Sequence, residues 1–411
     1  MEMLGFYVYV LDKNRRDIFM NILFYFDRQI NPERGGTERV TYNLAHYFQG
    51  KGNRVMYLAK HKVEEADASI KTFFLPDNGS VVSDENISWL ENFLREEKID
   101  FLINQGANGD DIYLLSHKAL NTKTKIISVL HFSVYQGLNF FSAMQPLFLH
   151  RTPVALLSDF VRYIKMPYNK YKAYKQKKIR YRYLQDNMDA IVLLAPQYVD
   201  DMVKIGCLKD RRNLYVIPNP NSFELKDSVN WSEKKDEILF VGRLSYSEKR
   251  VDRLLKVWKK IYKNFPTWSL NIVGDGDDRK RLEQIAVKYK LERVFFRGYQ
   301  SPEIYYRQAK MICLTSNHEG YPMVLIEGMQ YGCVPIVFDS FGGASDLISN
   351  DKNGFLVKAF DISAYATTIS NFIKNVNIQE SMSMNAVSSS RKYDIEDISF
   401  LWQDLLTKIK N

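Results

Sequence analysis

Residues Ser316-Asn317-His318-Glu319-Gly320-Tyr321-Pro322-Met323-Val324-Leu325-Ile326-Glu327-Gly328-Met329 leave this chain few folds to choose from. Before them runs Ala309 to Leu314, short and mostly apolar, and it reads as a buried strand. After them come Tyr331-Gly332-Cys333 and a second such run, Val334 to Phe338. Strand, glycine-bearing turn, helix and strand make one βαβ unit, so the sheet here is parallel. Pro322 suits a first helical turn, where its missing N–H would have no partner anyway. The helix therefore begins at the carboxyl end of a parallel strand. Open α/β sheets bind ligands there, and free N–H groups attract anions.

Two carboxylates flank that anion site: Glu319 in the turn and Glu327 inside the helix. A carboxylate only accepts hydrogen bonds, so the pair suits the hydroxyl-rich parts of a ligand that also carries phosphate. A helix-start acid and an ordinary surface glutamate would look the same in isolation. The whole string, with Gly332-Cys333-Val334-Pro335-Ile336-Val337 behind it, resembles the signature of retaining GT-B glycosyltransferases of the large family four, users of nucleotide sugars. The resemblance implies that Glu319 and nearby backbone hold the donor sugar and that Glu327 holds the nucleotide ribose.

A chain of 411 residues is comfortable as two domains, each with its own core. Its three cysteines, Cys207, Cys313 and Cys333, are scattered and lack metal spacing, which predicts a reduced cytosol. No apolar run reaches the roughly 18 residues of a spanning helix. The opening stretch, Met1 to Leu11, has no basic leader and makes a poor signal peptide. Met20 directly precedes the strand Asn21 to Phe26, so residues 1–19 read as an appendage or as the product of an upstream start. A net charge of +9 favours phosphate-bearing substrates and anionic lipid; nucleic acid is not expected, since no nucleic-acid motif is present.

In the first half, Asn31-Pro32-Glu33-Arg34-Gly35-Gly36-Thr37-Glu38-Arg39 follows the first strand and opens a helix carrying Val40, Leu44, Ala45 and Phe48. Gly35 and Gly36 would let backbone approach a ligand closely. Further strands are predicted at Arg54–Ala59, Thr72–Leu75, Phe101–Asn104, Lys125–Leu130 and Ala190–Leu194, and a helix at Trp89–Glu97. His131 stands at a strand's carboxyl end. Leu138 to Phe160 is apolar but interrupted by Gln145, His150, Arg151 and Asp159, so it does not span a bilayer. Tyr168 to Leu184 holds seven Lys or Arg, no acid and five interleaved tyrosines. It is either a solvated helix face or an interfacial segment on anionic lipid. Pro218-Asn219-Pro220 closes the half; Pro220 departs from the family's usual Pro-Asn-Gly.

The second half starts with a polar link, Ser222 to Asp236, and the strand Glu237–Val241. Gly242-Arg243-Leu244 and Lys249 follow, two cations in a loop after a strand. They suit phosphate oxygens and resemble the family's diphosphate clamp, with Arg250 in place of the common glycine. Leu270–Val273 leads into Gly274-Asp275-Gly276-Asp277-Asp278, a turn whose Asp277 or Asp278 is expected to cap the next helix. In the family this turn approaches the base. These acids fall short of a coordination shell, and no metal site is expected. A last helix, Ile398 to Ile409, is expected to cross back onto the first domain, as in GT-B folds.

The expectation is an α/β GT-B protein: two Rossmann-like domains facing across a cleft, residues 1–222 for the acceptor and 223–395 for the nucleotide sugar, with 396–411 crossing back. The resemblance implies Glu319, Arg243, Lys249 and His131 at the reacting centre. It implies Gly35, Gly36, Gly242, Gly274, Gly276, Gly320, Tyr321, Pro322, Val324, Leu325 and Glu327 around the donor. A UDP-, GDP- or ADP-sugar would donate a hexose-like unit, with retention, to a sugar or lipid-linked acceptor, with no cofactor and no metal. The expected place is the cytoplasm, peripheral to the inner face of the plasma membrane. Rival readings are a sugar-nucleotide 2-epimerase or phosphorylase on the same fold, and a non-catalytic relative. A dinucleotide oxidoreductase fails because the first glycine turn is not Gly-x-Gly-x-x-Gly.

Overall fold

In the computed structural model, which describes residues 19–135, 138, 153–223 and 229–410, short apolar runs alternating with helices build two parallel sheets. The first comprises β1 (Asn21–Arg28), β2 (Arg54–His61), β3 (Thr72–Phe74), β4 (Phe101–Asn104), β5 (Lys125–Leu130), β6 (Ala190–Leu193) and β7 (Leu214–Val216). Its order is β3-β2-β1-β4-β5-β6-β7. Helices α1 (Gly36–Gly50), α2 (Asp84–Glu96), α3 (Asp111–Leu114), α4 (Pro153–Asn187) and α5 (Pro196–Gly206) connect the strands. The second comprises β8 (Lys235–Val241), β9 (Ser269–Val273), β10 (Val294–Gly298), β11 (Ala309–Leu314), β12 (Val334–Asp339) and β13 (Phe355–Lys358), in the order β10-β9-β8-β11-β12-β13. Around it lie α6 (Val251–Ile261), α7 (Arg279–Lys288), α8 (Glu303–Gln308), α9 (Met323–Gln330), α10 (Ala344–Leu347), α11 (Ile362–Lys374) and α12 (Val376–Ser390).

Central strands of such sheets are covered on both faces and so read as unbroken apolar runs. Residues Phe101 to Ile103 and Met311 to Leu314 are accordingly fully buried. Each sheet reverses its strand order once, between β1 and β4 and between β8 and β11, and crevices open beyond the carboxyl ends at such points. Both reversals face one cleft between the domains.

The closing helix α13 (Ile395–Lys410) returns to the first domain and packs on α1. It buries Trp402, Leu405 and Leu406, while Glu396 accepts from Tyr47 at 2.6 Å and Lys410 pairs with Asp100 at 2.9 Å. Where the chain crosses, the Asn221 N–H donates to the Tyr393 carbonyl at 2.6 Å.

Some elements differ from the sequence reading. Helix α2 starts at Asp84 rather than Trp89, because Ser83 caps it through the Asn86 N–H. Met323, not Pro322, is the first residue of α9; Pro322 is its N-cap. Asp278 stands before α7 without capping it, since its carboxylate accepts from the Tyr246 N–H at 2.6 Å. Tyr168 to Leu184 is the later part of α4, and its end is built into the domain: Tyr181 and Leu184 are core, and Arg180 donates to the Asn108 and Gly109 carbonyls. Residues 1–18 and most of Leu138 to Phe160 lie outside the described residues. Among the described residues no helix is long and apolar enough to cross a membrane.

Candidate functional site

The loops after β8 and β11 meet because the reversal makes these strands neighbours. Three bonds stitch them: Asn317 N–H to the Glu248 carbonyl at 2.7 Å, Asn317 Nδ2 to the Ser247 carbonyl at 2.8 Å, and Thr315 Oγ1 to the Arg250 carbonyl at 3.0 Å. The stitching carries Lys249 to Glu319. Its ammonium donates to both carboxylate oxygens, at 2.8 and 2.7 Å, and Ser316 Oγ donates to Oε1 at 2.6 Å. Arg250 takes a left-handed conformation (φ 49°), a place where glycine is cheaper. Its guanidinium is buried, bonded to Asp252 at 2.9 Å and set 4.2 Å from the Tyr246 ring, and these contacts hold the turn. Arg243, by contrast, is exposed and unpaired among the described residues, with its charge available to a ligand.

Glu327 occupies the other end of the site. It is 2% exposed, with Oε2 accepting from Tyr306 OH at 2.8 Å. Its Oε1 faces Arg39 of the first domain at 3.7 Å. Arg39 is anchored through Nε to the Pro32 carbonyl at 3.1 Å. A second cross-domain bond runs from Tyr299 OH to the Glu33 carbonyl.

The cleft between these groups has a volume of about 830 Å³. Among the expected site residues, Gly35, Gly36, His131, Gly242, Arg243, Lys249, Gly274, Glu319, Gly320, Tyr321, Val324 and Glu327 line it. Three do not. Leu325 points into the core, fully buried. Pro322 caps α9 without facing the cleft, and Gly276 sits under the Leu244 backbone, where a Cβ would meet the carbonyl at 2.5 Å. Gly35 is extended (φ −179°), and a Cβ on Gly35 or Gly36 would find its nearest neighbour 3.8 Å away. Neither glycine is required by the protein's own packing. Gly320 is: a Cβ there would lie 2.2 Å from the His131 carbonyl.

His131 is buried at the end of β5 and bonded through Nε2 to Gln105 Oε1 at 2.5 Å, with Asn219 beside it. Burial pushes its pKa down to about 4, so the ring is neutral near pH 7. Asp275, in the turn assigned to the base, spends its carboxylate on the Gly276 N–H and on Arg279 at 2.9 Å. Among the described residues no group of His, Cys, Asp or Glu is arranged to hold a metal ion.

Sequence reasoning passed over Arg39, Tyr198, Tyr299 and Gln105. Arg39 was in view as part of the glycine-turn string, and its charge was the one available signal. The others reach the site only through tertiary structure.

Residues 221–388 match the family described as glycosyl transferases group 1. The amylovoran biosynthesis glycosyltransferase AmsD of Erwinia amylovora is 33% identical over 202 residues, 47% of this chain and 56% of that protein. A Campylobacter jejuni enzyme, named for α-1,4-N-acetyl-D-galactosaminyl transfer to a GalNAc-GalNAc-diNAcBac-PP-undecaprenol, is 29% identical over 202 residues, 49% of this chain and 56% of that one. The chain thus spans about half the length of these curated relatives. The crystal structure of Anabaena HepE with UDP and glucose superposes with a TM-score of 0.70 at 17% identity, covering 95% of this chain and all of that one. Fold and domain agree: residues 221–388 are similar to glycosyl transferases group 1, and the two domains form a GT-B fold.

Proposed function

We propose that the chain is a retaining glycosyltransferase that moves a sugar from a nucleoside-diphosphate sugar to an acceptor hydroxyl in bacterial surface-polysaccharide assembly. One observation carries the reading. Two buried carboxylates flank the start of α9 on one cleft, with Lys249 and the unpaired Arg243 beside them. Charge on a departing diphosphate grows as the glycosidic bond breaks, and cations with free helix N–H groups already in place stabilise it without reorganising. On this reading Glu327 takes the ribose, Glu319 the sugar, and the α9 start with Arg243 and Lys249 the diphosphate. AmsD and the Campylobacter enzyme are both named for glycosyl transfer, and HepE was crystallised with UDP and glucose, which supports the assignment.

His131 fits no general-base role. A base with a pKa near 4 takes little proton from a hydroxyl at neutral pH. The acceptor proton then passes to the departing phosphate oxygen on the same face of the sugar, which gives retention. Because cations and a helix end meet the phosphate charge, the reaction needs no divalent metal.

The acceptor is a lipid-linked saccharide, reached by peripheral docking on the inner face of the plasma membrane. Helix α4 supports this. Val154, Leu157, Val161, Ile164, Tyr168 and Tyr171 recur at helical spacing and are all exposed, beside exposed Lys165, Lys170, Lys172 and Lys175. An apolar stripe flanked by cations matches an anionic lipid surface. The docking face thus lies toward the start of α4 rather than along the whole Tyr168–Leu184 stretch.

The test is to incubate the protein with UDP-, GDP- and ADP-sugars and follow nucleotide release and the anomeric proton of the product by NMR. The proposal expects one nucleotide family to be consumed and the donor's α or β configuration to be kept. Inversion, an epimerised donor or a released sugar 1-phosphate would overturn it.

A further inference from the structure

The first domain reaches beneath the donor-sugar loop with one phenol. Tyr198 lies in the first turn of α5 and is 1% exposed. Its OH reaches the Gly320 carbonyl at 2.5 Å and the Glu319 carbonyl at 3.1 Å, with the Gly343 backbone beside it. The fit is tight on every side. A Cβ on Gly342 would stand 2.7 Å from the Tyr198 ring, and one on Gly320 would stand 2.2 Å from the His131 carbonyl. Tyr321 OH is bonded to Tyr393 OH at 2.9 Å, at the point where the chain crosses back. The segment from Glu319 to Tyr321 is therefore held by both domains at once.

A trans peptide is planar and its N–H points opposite to its C=O. A donor that fixes the Glu319 and Gly320 carbonyls therefore also fixes the Gly320 and Tyr321 N–H groups, directed away from Tyr198. Both residues line the cleft. We infer that Tyr198 is a positioning residue for the sugar end of the donor site: from the first domain it sets the Glu319–Tyr321 backbone, so that this part of the site is complete only when the domains are closed. The inference rests on the reading of Glu319 as the sugar contact. The ribose and diphosphate groups, Glu327, Arg243 and Lys249, hold no hydrogen bond to Tyr198 among the described residues; Lys249 is joined to it only through the Glu319 side chain.

This separation sets the test. Tyr198→Phe removes the hydroxyl and keeps the ring. It should bind the free nucleoside diphosphate within twofold of wild type and lower kcat about tenfold, the upper range for one lost hydrogen bond. Amide hydrogen exchange at residues 316–322 should quicken. Gly342→Ala, which pushes the ring aside, should show the same split. Tyr262→Phe loses a comparable bond remote from the cleft, to the Lys290 carbonyl at 3.3 Å, and should leave all three readouts unchanged. Wild-type kcat in Tyr198→Phe would overturn the inference, and so would an equal loss of nucleotide affinity. If the wild type binds no nucleotide at all, the functional reading has failed on its own. The exchange arm still decides then: unchanged protection at 316–322 sinks the positioning role.

Discussion

The two walls of the cleft are built on opposite principles. The second-domain wall carries its charge prepared: Lys249 clasps Glu319, Tyr306 bonds Glu327, and Arg243 is left over for a ligand. The first-domain wall is neutral at its centre. His131 is uncharged, and among the described residues Asn104 Nδ2, Gln105 Nε2 and Ser128 Oγ behind it are buried without a hydrogen-bond partner. Buried unsatisfied groups are costly and call for an explanation. On the proposed reading the contrast becomes a division of labour: the charged wall takes the diphosphate, and the neutral wall, where His131 lines the cleft, faces the hydroxylated acceptor.

The contrast is broken most forcefully at Lys249. Lys249→Ala should weaken nucleoside diphosphate by about 1.5–3 kcal/mol, roughly 10- to 150-fold in Kd, through lost charge-assisted bonds. It should slow transfer further by leaving the buried Glu319 without its counter-ion; calorimetry and initial rates report the two effects.

The two glutamates sharpen it. Glu327→Gln should weaken free nucleotide by about 1 kcal/mol, the scale of an ordinary hydrogen bond. Glu319→Gln should depress transfer yet bind free nucleotide as well as wild type or better, because Lys249 is then released toward phosphate. The reverse pattern in parallel titrations would exchange the ribose and sugar roles.

On the neutral wall the signature is in pH rather than nucleotide affinity. Burial lowers the His131 pKa from its ordinary 6.5 to about 4. The unfolded chain takes up a proton as pH falls through about 6.5, while the fold resists until about 4. Stability is therefore lost as pH falls through that window, by roughly 3 kcal/mol for a shift of this size. His131→Gln should flatten this part of a pH series of urea melts. An unchanged acid limb would contradict the buried, neutral ring.

Smaller effects are expected elsewhere. Transfer should survive EDTA unchanged, whereas loss restored by magnesium or manganese would return Asp275 and Asp277 to consideration. Flotation with anionic vesicles should be partial and salt-sensitive, since surface charge reaches only about 8 Å at physiological ionic strength. Replacing Lys165, Lys170, Lys172 and Lys175 with Gln should abolish it while nucleotide binding persists. Equal flotation would make α4 an ordinary solvated helix.

The same contrast explains what could be read from the chain alone. Arg243, Lys249, Glu319 and Glu327 were legible as cleft residues because their motifs resemble the glycosyltransferase signature, each in a loop or helix next to its own strand. Both sheets were legible for a like reason, as apolar runs of strand length. Arg39, Tyr198 and Gln105 were not, because their partners lie in other elements, and for Arg39 and Tyr198 in the other domain. Leu325 was misplaced with the donor because adjacency in a helix does not set which face a side chain takes. Asp278 looked like a cap, but a loop from β8 offered its carboxylate a closer donor. The length of α4 was hidden too, since it runs through Pro167.

The division between the walls can be tested by titrating one nucleoside diphosphate into wild type, Arg243→Ala and His131→Gln. The account predicts at least tenfold weaker binding for Arg243→Ala, the lower bound for a charged hydrogen bond, with His131→Gln within twofold of wild type. Equal losses in the two variants, or undiminished binding by Arg243→Ala, would contradict it.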